Sequence, residues 1–325
     1  MLLDRGVRFA AALWILLTTL VAVLGNGSLP FDRPALQDRP FVLQVIFPSL
    51  GMLEIFALMG VVYWLTRNRP TIEMAARAPD RARAVRETSM LLSYAAAGQV
   101  TGWIVGSTIG HRAFSFHLAG TLVGISQPTS PLDATIWATY NFLVFALIPW
   151  LWFRTQYPAE ALNLRSADRA NDLLVIVVVA TIESLVEFGS FPGFFRLTAR
   201  QVLIGAPTAF FLYFIGTVLP TMVLIYAILL PRYTKLSGSF TMTIILGGLT
   251  YAAMHIVEGW SNFTTPRDIA LSLLFVPLTY FGPGIFKSYV TLRTGNAWVH
   301  ALGYHAIAPH VVVDTPLIVK VFGFR

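Results

Sequence analysis

Apolar runs of about twenty residues recur along the whole chain, and they settle its fold class before any motif is read. Stretches such as 41–66, 207–230 and 269–286 carry almost no charge. A run of that length matches the roughly 30 Å hydrocarbon core at 1.5 Å per residue. In lipid every backbone N–H and C=O has to be satisfied within its own segment, so such runs must be helices. With 56% hydrophobic and only 12% charged residues, the chain reads as all-α, a polytopic membrane helix bundle. Its apolar runs predict about eight or nine transmembrane helices.

The same composition excludes several classes of function. No cysteine is present, which removes disulfides and thiolate chemistry and leaves histidines and carboxylates as metal donors. The net charge of +7 comes from arginines in short segments between apolar runs. Membrane topology accounts for them, and nucleic acid is not an expected partner. There is no phosphate loop or nucleotide fingerprint, so ATP-driven transport has no support. Nothing in the pattern sets an oligomeric state.

Breakers and basic residues place the boundaries. Helix one is expected at about 7–24, after Arg5 and Arg8. Its apolar core is long and no A-x-A site follows, so it reads as a retained span rather than a signal peptide. Pro30, Pro34 and Pro40 make 25–40 an outer loop, and helix two follows at 41–66. Residues 67–87 hold the densest basic run, with Arg67, Arg69, Arg77, Arg81, Arg83 and Arg86, which predicts a cytoplasmic loop. Further helices are expected at 88–109, 133–153, 172–188, 207–230, 240–257 and 269–286, and a last one from Thr294. Between the first two of these, His111 and His117 flank an interfacial piece. Counting outward from the basic loop puts the amino terminus in the cytoplasm of a multi-pass protein of the cell membrane, with the lipid bilayer as its partner. Helices 1–153 form one part of the chain and 154–325 a second.

An ionisable side chain at membrane depth costs roughly 2.5 kcal/mol or more unless paired, coordinated or hydrated. The last helix, TGNAWVHALGYHAIAPHVVVD, carries His300, His305, His310 and Asp314. His310 and Asp314 are four apart and share a face. Measured from the inner helix ends, His255 and His310 lie at similar depths, about 22 and about 24 Å. They are therefore the pair most readily placed around one ion, with His305 as the alternative. Pro309 removes a backbone donor beside them. Glu183 and Glu187 share a face of helix five and are candidate general bases; the alternative is a buried pair satisfied by Arg196, Gln99 or Asn141. Glu258, one turn beyond His255, is a third candidate base or a solvated side chain. Glu54 reads as a lone neutral acid, and His300 as a side chain snorkelling beside Trp298.

These residues bring the chain close to a known family. Tyr251-Ala-Ala-Met-His255 resembles an aromatic-x-x-x-His motif, Thr294 to Trp298 resembles a TG-x-x-W lead-in, and His310-Val-Val-Val-Asp314 resembles a His-x-x-x-Asn/Asp motif. Together with the ALNLRSADR segment and the Leu230-Pro231-Arg232 turn, they are similar to the CAAX prenyl protease and bacteriocin-processing family of intramembrane metalloproteases. The resemblance covers roughly the last 160 residues. It implies a CAAX-protease-like core over 154–325, a Zn²⁺ ion held by His255 with His305 or His310, and a peptide or lipidated substrate. The family's glutamate pair and arginine fall near Thr221, Met222 and Tyr226 here, within LPTMVLIYAILLPR, so the water-activating carboxylates are missing from their place.

Hydrolysis needs a base for the attacking water, and a carboxylate is the usual one. A divergent hydrolase would take it from Glu183, Glu187 or Glu258, with His255, His305, His310 and Asp314 around the metal. A non-catalytic descendant, a scaffold or small-ligand binder, would keep the fold without the base. Haem or a redox metal on the same histidines is a third reading.

Overall fold

The computed structural model describes residues 5–31, 39–108, 130–256 and 260–325, and every regular element in them is helical. The helices are α1 (Arg5–Gly25), α2 (Phe41–Thr66), α3 (Arg81–Thr108), α4 (Pro131–Arg154), α5 (Arg169–Ser190), α6 (Ala199–Ser237), α7 (Phe240–Ala253), α8 (Pro266–Thr294), α9 (Ala297–Val313) and α10 (Thr315–Phe322). Their starts follow local capping chemistry. Ser130 and Asp133 form a capping box ahead of α4, Thr198 and Gln201 another ahead of α6, and Thr265 caps α8 with Pro266 at its first position.

Six of these helices, α1, α2, α4, α5, α6 and α8, are long and apolar enough to cross a membrane, and α9 with α10, bent by 51°, make a seventh if taken as one span. Among the described residues that accounts for six or seven of the expected eight or nine, and two further helices fall short of the length and composition of a span. Helix α3 opens on the basic run and then carries Ser93, Gln99 and Thr101, which dilute its apolar character. Helix α7 has 14 residues, a rise of about 21 Å against a core of roughly 30 Å.

Three boundaries differ from the sequence expectation. The first two turns of α3 absorb the end of the supposed 67–87 loop. Helix α6 runs unbroken for 39 residues through Pro207, Pro220 and Pro231. Wide π-helical turns at 214–218 and 222–229 adjoin the last two prolines and accommodate the donors they lack. Helix α8 continues past Phe286 to Thr294, which carries Lys287 inside the bundle rather than into a loop.

Almost every side chain of α6 from Gly216 to Tyr233 is buried, so this helix is the axis around which the others pack. Helix α8 lies against α7 where Gly284 faces Gly248, and it also contacts α1 and α2. Large apolar side chains point outward, among them Phe9, Leu53, Phe56 and Leu185, a surface that fits a lipid bilayer.

The two ends of the bundle differ. At one, Arg69 binds Asp172 at 2.6 Å and the Thr294 carbonyl at 3.2 Å, and Arg293 binds the Thr66 carbonyl at 2.8 Å. At the other, Arg267 donates to the carbonyls of Leu24, Gly25 and Ser28. The basic residues that follow α2 therefore gather at the end where α1 begins.

Candidate functional site

The approach to the site is fixed by the Thr294-Gly295 turn. Gly295 adopts φ +64°, the left-handed region that ends α8, and its carbonyl accepts from Arg77 at 2.7 Å. Asn296 then donates to Asp172 at 2.9 Å, Gly303 packs on the backbone of Ile176, and Gly193 meets Pro316. Helix α5 thus runs parallel to the last segment and carries Glu183 and then Glu187 alongside residues 305–314.

Each of the three motif histidines is buried, and each has its Nδ1 turned to an oxygen. His255 Nδ1 lies 2.6 Å from the Tyr251 carbonyl, and His310 Nδ1 lies 2.8 Å from Asp314 Oδ2. A carbonyl only accepts, so the neutral His255 ring carries its proton on Nδ1 and the lone pair on Nε2. His305 Nδ1 lies 3.4 Å from Thr221 Oγ1, whose own hydrogen is directed to the carbonyls of Thr217 and Val218. His305 is therefore in the same tautomer.

The rings form a chain across the bundle. His255 stacks on Tyr280 with centroids 3.8 Å apart and sits 4.5 Å from Tyr251. Tyr251 is 6.1 Å from His305, His305 is 5.2 Å from His310, and His310 stacks on Tyr213 at 4.3 Å. His310 has His305 as its histidine neighbour, where the depth count paired it with His255, and Tyr251 stands between His255 and His305. His255 lies in the turn after α7, which ends at Ala253, so depth counted along a helix does not apply to it. Among the described residues no three His, Asp or Glu side chains gather closely enough to hold one ion.

A cavity of about 300 Å³ opens beside this chain. Its wall includes His305, His310 and Asp314 from α9 and its end, Glu183 and Glu187 from α5, Glu54 from α2 and Lys287 from α8. Both α5 carboxylates expected from the sequence thus share one chamber with His305 and His310, and His255 is not part of its wall. The alternative partners do other work: Gln99 donates to the Met254 carbonyl and Asn141 to the Gly216 carbonyl, while Arg196 is exposed. Glu183 is 5% exposed and its Oε1 has no hydrogen-bond partner. Glu258, His111 and His117 lie outside the described residues. His300 does not snorkel: it is fully buried, 4.2 Å from the Tyr226 ring, and neither ring nitrogen has a hydrogen-bond partner.

Sequence reasoning missed Lys287. Its ammonium lies 3.7 Å from the centre of the Tyr251 ring and 5.7 Å from that of Tyr304, and it makes no ion pair or hydrogen bond among the described residues. The signal was present, because no helix-stopping residue separates Phe286 from Gly295.

Comparison with protein-family models, with curated proteins and with solved structures finds no match to this chain.

Proposed function

We propose that the chain is a membrane-embedded, metal-dependent hydrolase, a divergent relative of the CAAX-type intramembrane endopeptidases, acting on a peptide or lipidated substrate within the bilayer. The observation that carries this reading is the shared cavity: Glu183 and Glu187 face the same space as His305 and His310. A base supplied by α5 would make good the loss at Thr221 and Met222. Residues that the resemblance assigns to one site, Tyr251, His255, Thr221 and His305, are also neighbours.

The donor chemistry suits zinc. Two imidazoles held at about 2.0–2.1 Å from a tetrahedral ion have ring centres roughly 5 Å apart, and those of His305 and His310 are 5.2 Å apart. His310 also has the carboxylate on its Nδ1 that orients metal-ligating histidines elsewhere. His305 and His310 are the residues that would hold the ion. When bound, zinc supplies Lewis acidity and lowers the pKa of water toward neutrality. The protein contributes the rest. Asp314 fixes the His310 ring, Glu187 at the level of residues 310–314 takes the proton of the attacking water, and the apolar wall of α2 holds the substrate chain away from bulk water.

Metal analysis of the purified full chain tests this reading. Wild type carries one zinc per chain; His305→Ala and His310→Ala lose it, while Glu187→Gln keeps it but no longer cleaves quenched lipidated peptides. A wild type without stoichiometric metal favours the second reading, a non-catalytic ligand binder. That reading draws on the missing glutamate pair and on the absence, among the described residues, of three converging metal donors.

A further inference from the structure

The wall of the cavity holds more acid than base. Its described residues include the carboxyl groups of Glu54, Glu183, Glu187 and Asp314 against the single ammonium of Lys287. Asp314 is engaged by His310, and Lys287 rests on the face of Tyr251 without an ion pair. Glu54 Oε1 and Glu183 Oε1, on two different helices, are buried without a hydrogen-bond partner. Carboxylates in a low-dielectric interior are stable as anions only when a cation or donors compensate them. Among the described residues the bundle supplies neither to these two oxygens.

We propose that this cavity binds an organic cation, an ammonium group carried on an apolar chain, with Glu54 and Glu183 as its counter-charges. A bare metal ion fits this part of the wall poorly, since the carboxylates sit apart on α2 and α5 and no three acidic or histidine donors converge among the described residues. A larger cation bridges such a spacing. Tyr251, Tyr280 and Tyr304 line the same space, and ammonium groups bind tyrosine faces within about 6 Å. Lys287 demonstrates this, with its own ammonium seated 3.7 Å from the Tyr251 ring. Phe47, Met52 and Ile55 on α2 give the opposite wall an apolar surface for a chain. The inference names the substrate class for the reaction proposed above and rests on that reading only for what happens after binding. The amine belongs either to a lipid headgroup or to a basic residue of a lipidated peptide.

The experiment is ligand-dependent thermal unfolding of the full chain in a neutral maltoside detergent. Octylammonium is expected to raise the Tm in a saturable way, and octanoate and octanol are not. Glu54→Gln and Glu183→Gln should each weaken the octylammonium effect at least tenfold, the half-buried Glu54 serving where the Glu183 variant fails to fold. Lys287→Met, which frees the Tyr251 face and removes a competing ammonium, should tighten binding several-fold. Dihexanoylphosphatidylethanolamine and N-octanoyl-lysine amide distinguish the two sources, the tighter of them naming the ligand. An equal response to octanoate, unchanged binding in both glutamine variants, or loss of binding in Lys287→Met overturns the proposal. Binding is read without turnover, so a wild type lacking zinc would defeat the hydrolase reading and leave this result standing.

Discussion

Thr221 Oγ1 lies 3.4 Å from His305 Nδ1, with both side chains enclosed by the bundle. A hydroxyl thus stands against the histidine at a position where the proposed kinship with CAAX-type proteases expects a carboxylate. Thr221→Val keeps the shape and removes the acceptor. It should cost about 1 kcal/mol of stability through the orphaned Nδ1–H. Zinc affinity should fall roughly 10–100-fold, as when other outer partners of metal-bound histidines are lost. Zinc titration of the two proteins decides it, and equal affinities would remove Thr221 and His305 from the site.

Arg232 shows how the bundle tolerates a buried charge far from that site. Its guanidinium binds Glu87 Oε2 through Nε at 2.8 Å and Nη2 at 2.5 Å, and it lies over the rings of Phe153 and Tyr157. Glu87 keeps Arg83 Nε and the Tyr157 hydroxyl, each at 2.7 Å, so Arg232→Met should destabilise by about 1–3 kcal/mol. Adding Glu87→Leu should cost less than the sum of the two single losses. Denaturant unfolding in detergent measures both, and a double variant as unstable as the sum of its parts would mean the two residues are not coupled.

Helix positions were legible where apolar length decided them: α2 was read to the residue, and α1, α4 and α5 to within about three residues at each end. The reading failed where local rules compete with packing. Pro207 and the Leu-Pro-Arg turn predict the ends of a span at 207–230, but in α6 the neighbouring π turns absorb the missing donors and the helix runs on to Ser237. An apolar run that ends at Phe286 leaves Lys287 outside the expected helix, whereas α8 continues through it. Gly295 held the better signal, since its left-handed conformation is what ends α8. In the site, the His310–Asp314 pair followed directly from helical spacing. The neighbourhood of His305 and His310 did not, because five residues along a regular helix point side chains apart and only the π-helical turns at 301–305 and 308–313 bring the rings together.

Two glycines separate close packing from helix propensity. A Cβ on Gly284 would sit 2.9 Å from Gly248 Cα and 3.0 Å from its carbonyl oxygen, whereas one on Gly60 would meet nothing within 4 Å. Backbone atoms cannot turn aside as side chains do, so Gly284→Ala should separate α7 from α8 and cost about 1–3 kcal/mol. Gly60→Ala, in the exposed interior of α2, should stabilise by about 0.5–1 kcal/mol. Thermal unfolding of the two variants should move in opposite directions, and a neutral Gly284→Ala would show that the two helices do not meet there.

The orientation of the bundle is open to a direct chemical test, because the chain has no cysteine of its own. Arg69 and Arg293 tie the segment after α2 to the ends of α2 and α8, while Arg267 ties the start of α8 to the end of α1. Thr71 and Ser28 therefore lie at opposite ends, and both are exposed. The excess of arginine around Thr71 predicts that its end faces the cytoplasm. In intact cells a membrane-impermeant maleimide should label Ser28→Cys, and it should reach Thr71→Cys only after permeabilisation. The reverse pattern would invert the protein in its membrane, and labelling of both from one side would contradict the opposite placement of the two ends.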